Sequence, residues 1–183
     1  VDDTHNFYFG GWDDPNSPGK RGCVEINSRN CGEIVLSELD SCRLLLVNTA
    51  SFVENPYTPQ ASFNYEKFAS HVRVAQRLMD DLIDLEIECI DKIIKKVSDD
   101  PEPEEVKATE FALWNGIKSA CERGRRTGLG VTAIGDMLAM LNITYGSESS
   151  VNMVESVYKS LSINAYTESA NLAKERGAFP AFD

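Results

Sequence analysis

From Asn64 onward, apolar residues return at three- and four-residue steps: Phe68, Val72, Ala75, Leu78, Met79, Leu82, Ile83, Ile90, Ile93, Ile94 and Val97. Residues three or four apart share one face of a helix, so this spacing predicts an amphipathic helix running to about Ser98. Residues 99–105 hold two prolines and would end it. Their carboxylates suit the N-terminus of a following helix, where the peptide dipoles leave partial positive charge. That helix carries Val106, Phe111, Leu113, Trp114 and Ile117 to about Glu122. Residues 124–130 read as a glycine-rich link, and residues 131–141 as a shorter helix. A last helix is expected from Ser147-Glu148-Ser149-Ser150, whose hydroxyls can cap it, through Val154, Val157, Leu161, Ala165 and Leu172, stopping before Gly177.

The first third of the chain has a different pattern. Residues 1–30 are a turn-rich lead-in of Gly, Pro, Asn and Asp, with Phe7-Tyr8-Phe9 as one short strand candidate. Within residues 31–52, Ile34-Val35-Leu36 and Leu44-Leu45-Leu46-Val47 have the length and polar flanks of buried strands. Residues 64–183 read as helical. The expected class is α/β, mostly helical with a few early strands, in a single unit over residues 1–183. Two strands make no stable sheet alone. They are therefore expected to pair outside the chain or to lie against the helices.

Composition narrows the function. A net charge of −11 leaves no broad cationic face for nucleic acid. No apolar run approaches the roughly 20 residues that span a bilayer. The start lacks the basic-then-apolar order of a secretory signal, and the five cysteines include no Cys-x-x-Cys spacing. A reducing compartment, the cytoplasm, is the expectation. With only two histidines, a zinc site has little support.

The strongest candidate chemistry is Cys31 with Glu33 two residues on and Cys42 eleven residues on. A thiol beside a carboxyl group can exchange a proton, and a second thiol offers a redox partner. The bland alternative is two small buried apolar residues, the commonest fate of a reduced cysteine. Cys89 and Cys121 fall within helical patterns and read as packing residues, and Cys23 lies in the turn-rich lead-in. Residues 124–130 could cradle an anion with backbone N–H groups, or form a turn whose arginines pair with nearby carboxylates. They do not match a P-loop. Asp80, Asp81, Asp84, Glu86 and Glu88 read as a solvated acidic face, lacking the Glu-x-x-His pairs of di-metal bundles. His5 and His71 stand near no nucleophile motif.

Taken in order, several blocks resemble a known family. They are Asn30-Cys31-Gly32-Glu33-Ile34, Asp40-Ser41-Cys42-Arg43-Leu44, Met79-Asp80-Asp81-Leu82-Ile83-Asp84, Gly124-Arg125-Arg126-Thr127-Gly128-Leu129-Gly130, Gly135-Asp136-Met137-Leu138-Ala139, Asn164-Ala165-Tyr166 and Ala173-Lys174-Glu175-Arg176-Gly177-Ala178-Phe179-Pro180. Over roughly residues 25–183 the chain resembles the large, catalytic subunit of ribonucleotide reductases. The interval from Cys31 to Cys42 is most similar to the adenosylcobalamin-dependent class II branch.

That resemblance implies an incomplete portion of a ten-stranded α/β barrel, with Cys31 at the tip of a loop entering it. It implies that Cys31 carries a transient thiyl radical that removes the ribose 3′ hydrogen and that Glu33 is the base on the 3′ hydroxyl. Cys42 would be one of two thiols that reduce the 2′ carbon as water leaves. A radical needs a site shielded from competing donors, and a base needs hydrogen-bond reach of its proton. The family's asparagine two residues before the radical cysteine is Arg29 here. Either Asn30 substitutes in a loop shortened by one residue, or the substrate hydrogen bond is altered.

By the same resemblance the cofactor is adenosylcobalamin, or else the radical comes from a separate metal-containing subunit. The substrate is a ribonucleoside di- or triphosphate, and the electrons come from an external, thioredoxin-like thiol reductant. A companion chain would supply the rest of the barrel. Arg29 keeps a second expectation open: a non-catalytic helical interaction protein derived from a reductase fragment.

Overall fold

Helix α1 (Tyr65–Asp99) is the longest element of the computed structural model, which describes residues 38–182 and the short stretches 27–28 and 35–36. Its apolar stripe is the reason it forms: Phe68, Val72, Ala75, Met79, Ile83, Ile90 and Val97 are all buried. Leu78 and Leu82, expected on that stripe, are instead 51% and 44% exposed, one step around the helix from the buried line.

Two compact units divide the chain, with the division falling inside α1 after Asp80. One comprises residues 44–80 and 127–177. Here strand β3 (Arg43–Asn48) pairs with a later strand, β6 (Thr127–Thr132). Strands β4 (Val53–Glu54) and β5 (Ser62–Phe63) form an antiparallel pair with Val53 opposite Phe63. Between β3 and β4 lies a 3-10 turn, Thr49–Phe52, capped by the Asn48 side chain, which accepts from the Ala50 N–H at 3.1 Å. Helices α3 (Ile134–Met140) and α4 (Glu148–Arg176) complete the unit. Ser147 caps α4, its hydroxyl accepting from the Ser150 N–H at 3.2 Å, as the serine cluster foretold.

The core of this unit gathers Val47, Phe52, Phe63, Phe68, Val72, Ala75, Met137, Leu138, Val157 and Leu161. Three phenylalanines interlock at its centre: Phe68 lies 5.2 Å from Phe52 and 5.4 Å from Phe63, ring edge towards ring face. Such pairs add about 0.5–1.5 kcal/mol beyond the area they bury. Thr49 is wholly buried, and its hydroxyl donates to the Thr132 carbonyl at 2.8 Å, so the polar group carries no desolvation penalty.

Two sequence expectations change. The glycine-rich link does not extend to Gly130: from Thr127 the chain is strand β6, and α3 starts only at Ile134. Strands are therefore not confined to the early chain. Glycine at position 130 has a packing reason, since a β-carbon there would sit 3.0 Å from the Leu46 Cδ2. Nor is β3 a strand buried on both faces. Leu44 and Leu46 are 67% and 60% exposed, alternating with the more buried Leu45 and Val47. Among the described residues each sheet has two strands and none closes into a barrel.

Of the described residues, the other unit holds 27–28, 35–36, 38–43, 81–126 and 178–182. It holds the C-terminal part of α1, helix α2 (Glu104–Gly124), a 3-10 turn at Pro180–Phe182 that packs on α2, and the short antiparallel pair β1 (Asn27–Ser28) and β2 (Val35–Leu36). Glu104 and Glu105 occupy the first turn of α2, the favourable end of the dipole for negative charge. Lys118 of α2 donates to Asp91 of α1 at 2.6 Å. The Phe7-Tyr8-Phe9 candidate and Cys23 lie outside the described residues.

Candidate functional site: the loop that carries Cys42

Of the four residues singled out for chemistry, Asn30, Cys31 and Glu33 lie outside the described residues, as does Arg29. Cys42 is described. It is the last residue of the loop before β3 and is partly buried, its Sγ 3.9 Å from the Arg43 carbonyl oxygen, to which the thiol can donate.

The loop is held by charge. Arg43 buries its side chain to 11% exposure and spends its planar fork on three segments of the chain. Nε donates to Glu86 of α1 at 2.5 Å, Nη1 to the Ser41 carbonyl at 2.8 Å, and Nη2 to the Cys121 Sγ of α2 at 2.8 Å. Asp40, its side chain 2% exposed, lies 3.7 Å from the same guanidinium. Asp40 also accepts from the Ser41 N–H at 2.8 Å and from Arg126 Nε. A buried guanidinium is tolerable only with such compensation, because desolvating a charge costs several kcal/mol unless opposite charges and hydrogen bonds replace the water.

The protonation states follow from these contacts. Burial alone would lower the Arg43 pKa, but the Glu86 hydrogen bond and the charges of Cys121, Glu86 and Asp40 outweigh it and raise the value. Burial pushes the Cys121 thiol up from its ordinary 9.0; Glu86 and Asp40 push the same way, against the pull of Arg43 and Arg125. Cys121 is thus kept as a thiol.

A raised folded-state value has a defined consequence for stability. The contribution is complete below the unfolded thiol value and is lost as pH rises through the folded one. Cys121→Ser, which keeps a hydroxyl for Arg43 but does not ionise in this range, is expected to flatten the loss of stability above pH 9.0 relative to the parent chain. Denaturant midpoints of both chains at a series of alkaline pH values measure this, and parallel curves would count against the account.

Arg125 and Arg126 pair with carboxylates, as the bland reading has it. Arg125 donates to Asp84 at 2.8 Å, and Arg126 pairs with Asp40. The acidic face of α1 is correspondingly less bare than expected: Asp84 and Glu86 take arginines, and Asp80 accepts from Arg176 at 2.6 Å. Cys89 is exposed on α1 and is not the packing residue its position suggested, whereas Cys121, 1% exposed, is. Sequence reasoning missed the grouping of Arg43, Glu86 and Cys121. Nothing local signals it, for Arg43 reaches partners 43 and 78 positions away.

Comparison with known proteins adds the wider context. A family model described as "Ribonucleotide reductase, barrel domain" matches residues 16–183. A protein of Mycobacterium tuberculosis named vitamin B12-dependent ribonucleoside-diphosphate reductase is 32% identical over 165 residues, covering 90% of this chain and 19% of that protein. The protein of the same name in Thermoplasma acidophilum is 29% identical over 159 residues, 86% of this chain and 17% of its own length. A Chlamydia pneumoniae ribonucleoside-diphosphate reductase subunit alpha is 29% identical over 160 residues, 87% of this chain and 12% of that one. The chain therefore spans about a fifth or less of the relatives it matches.

Proposed function

Because the chain belongs to the ribonucleotide reductase barrel-domain family, we propose that it forms part of a catalytic subunit that reduces ribonucleotides to deoxyribonucleotides by thiyl-radical chemistry. The observation that carries this reading is the family match over residues 16–183, which includes every motif block from Asn30 to Pro180. The two-stranded sheets among the described residues and the exposed Leu44 and Leu46 of β3 support its structural side. The chain is an incomplete portion of a ten-stranded barrel, and these strands await neighbours that a companion segment or chain provides.

In this reading Cys31, as a thiyl radical, takes the 3′ hydrogen of the ribose, and Glu33 takes the proton of the 3′ hydroxyl. The 2′ hydroxyl leaves as water after gaining a proton from the reducing thiols. Cys42 and a second thiol outside the described residues give up two electrons in becoming a disulfide, and an external thioredoxin-like dithiol restores them. Cys31, a thiol once it has taken that hydrogen, returns it to the 3′ carbon radical at the end, which restores the thiyl radical on Cys31. Asn30 holds the substrate in place of the asparagine expected at position 29.

The relatives' names favour a ribonucleoside diphosphate as substrate, and those of two of them favour adenosylcobalamin as the radical source over a separate metal-containing subunit. Adenosylcobalamin supplies the initiating radical when bound. No described side chain is assigned to holding it.

The test is reconstitution. The 183-residue chain, given a ribonucleoside diphosphate, a dithiol and adenosylcobalamin, is expected to form no deoxyribonucleotide. The same chain joined to the remainder of a reductase barrel should form it. Turnover by the chain alone would sink the incomplete-barrel argument, and failure of the joined protein would count against the reductase reading itself.

A further inference from the structure

We infer that Arg43 is a positioning residue whose guanidinium fixes the reducing thiol of Cys42, an inference that rests on the reading of Cys42 given above. Cys42 lies between the two residues that the guanidinium ties together. Arg43 follows it in the chain, and Arg43 Nη1 reaches back over it to the Ser41 carbonyl at 2.8 Å. Cys42 is thus enclosed in a small ring closed by a side-chain hydrogen bond.

The ring is anchored from outside. Arg43 Nε is held by Glu86 at 2.5 Å and Nη2 by the Cys121 Sγ at 2.8 Å, on two different helices. On the N-terminal side Asp40 is locked by the Ser41 N–H and by Arg126. The backbone on both sides of Cys42 is thus held by part-buried, charge-assisted contacts. A thiol that must meet a substrate carbon and then a partner sulfur needs this restraint, because a misplacement of about 1 Å costs about a hundredfold in rate.

A lysine at position 43 would keep the charge that balances Glu86 and Asp40 but would lose the fork. Its single ammonium cannot span the Ser41 carbonyl, Glu86 and Cys121 in the same directions. Charge and geometry can therefore be separated by substitution.

The test has two arms. In the 183-residue chain, iodoacetamide labelling of each cysteine is followed by tandem mass spectrometry for the parent, Arg43→Lys, Arg43→Gln and Glu86→Gln. Labelling of Cys42 is expected to rise about tenfold in both Arg43 variants and by less in Glu86→Gln, with a clearly smaller rise at the buried Cys121. Unchanged labelling of Cys42 overturns the inference. So does an equal rise at Cys42 and Cys121, which would mean that the substitution opens the whole Arg43 cluster and not the Cys42 loop in particular. In the intact reductase, Arg43→Lys is expected to lower kcat about tenfold with KM for nucleotide unchanged.

Cys42→Ser in the same protein separates the two claims. If it stays fully active while Arg43 variants expose Cys42, the positioning stands and the reducing-thiol reading falls. If it is inactive while Arg43→Lys keeps parental labelling and kcat, the reading stands and the positioning falls.

Discussion

Cys31→Ser in the intact reductase is expected to lower nucleotide reduction by about a thousandfold or more, the scale on which removal of a group that takes part directly in bond-breaking is felt. Serine is nearly isosteric, so folding and nucleotide binding should survive. What fails is the chemistry, because an O–H bond is much stronger than an S–H bond and a hydroxyl does not give up its hydrogen atom to become a radical under the same conditions. Glu33→Gln should be milder, about a hundredfold to ten-thousandfold, since it removes proton transfer and leaves the radical centre intact. The measurement is deoxyribonucleotide formed per enzyme under excess dithiol, with nucleotide affinity measured separately. Parental turnover in Cys31→Ser would leave the non-catalytic interaction protein as the surviving account.

Phe68→Ala carries the largest expected effect on stability. Phe68 is 0% exposed and forms the hub between Phe52 and Phe63, at 5.2 and 5.4 Å. Truncation removes both ring contacts and leaves a cavity that α1 cannot close by moving, since Val72 and Ala75 on the same face are buried as well. The expected loss is about 3–5 kcal/mol, a large fraction of the stability margin of a unit this size. Phe68→Leu, which refills part of the space, should lose much less. Denaturant titration followed by circular dichroism checks both. Equal and small losses would show that the three rings are not the centre of this core.

Where the sequence was legible, one physical signal dominated. The 3.6-residue rhythm placed α1, α2 and α4 within a few residues, because that periodicity belongs to the segment itself and needs no partner. Strand β6 was illegible for the opposite reason. Thr127-Gly128-Leu129-Gly130 has the composition of a turn, and only pairing with β3 makes it a strand. The short run Leu44-Leu45-Leu46-Val47 showed a strand but not which faces were covered, since an unbroken apolar run carries no alternation. At the site the same contrast holds. Cys31, Glu33 and Cys42 stood out as a motif within a dozen residues, while the Arg43 network joins three distant segments and leaves no mark on any of them.

That distance also sets an order of assembly. The Arg43 bonds to Glu86 and Cys121 close loops of 43 and 78 positions, so the entropy of closing them is spent before either contact returns anything. An excised peptide bearing Cys42 would hold the residues of the loop without its shape. By the positioning inferred for Arg43, the thiol is expected to reach its final place only when α1 and α2 are already docked.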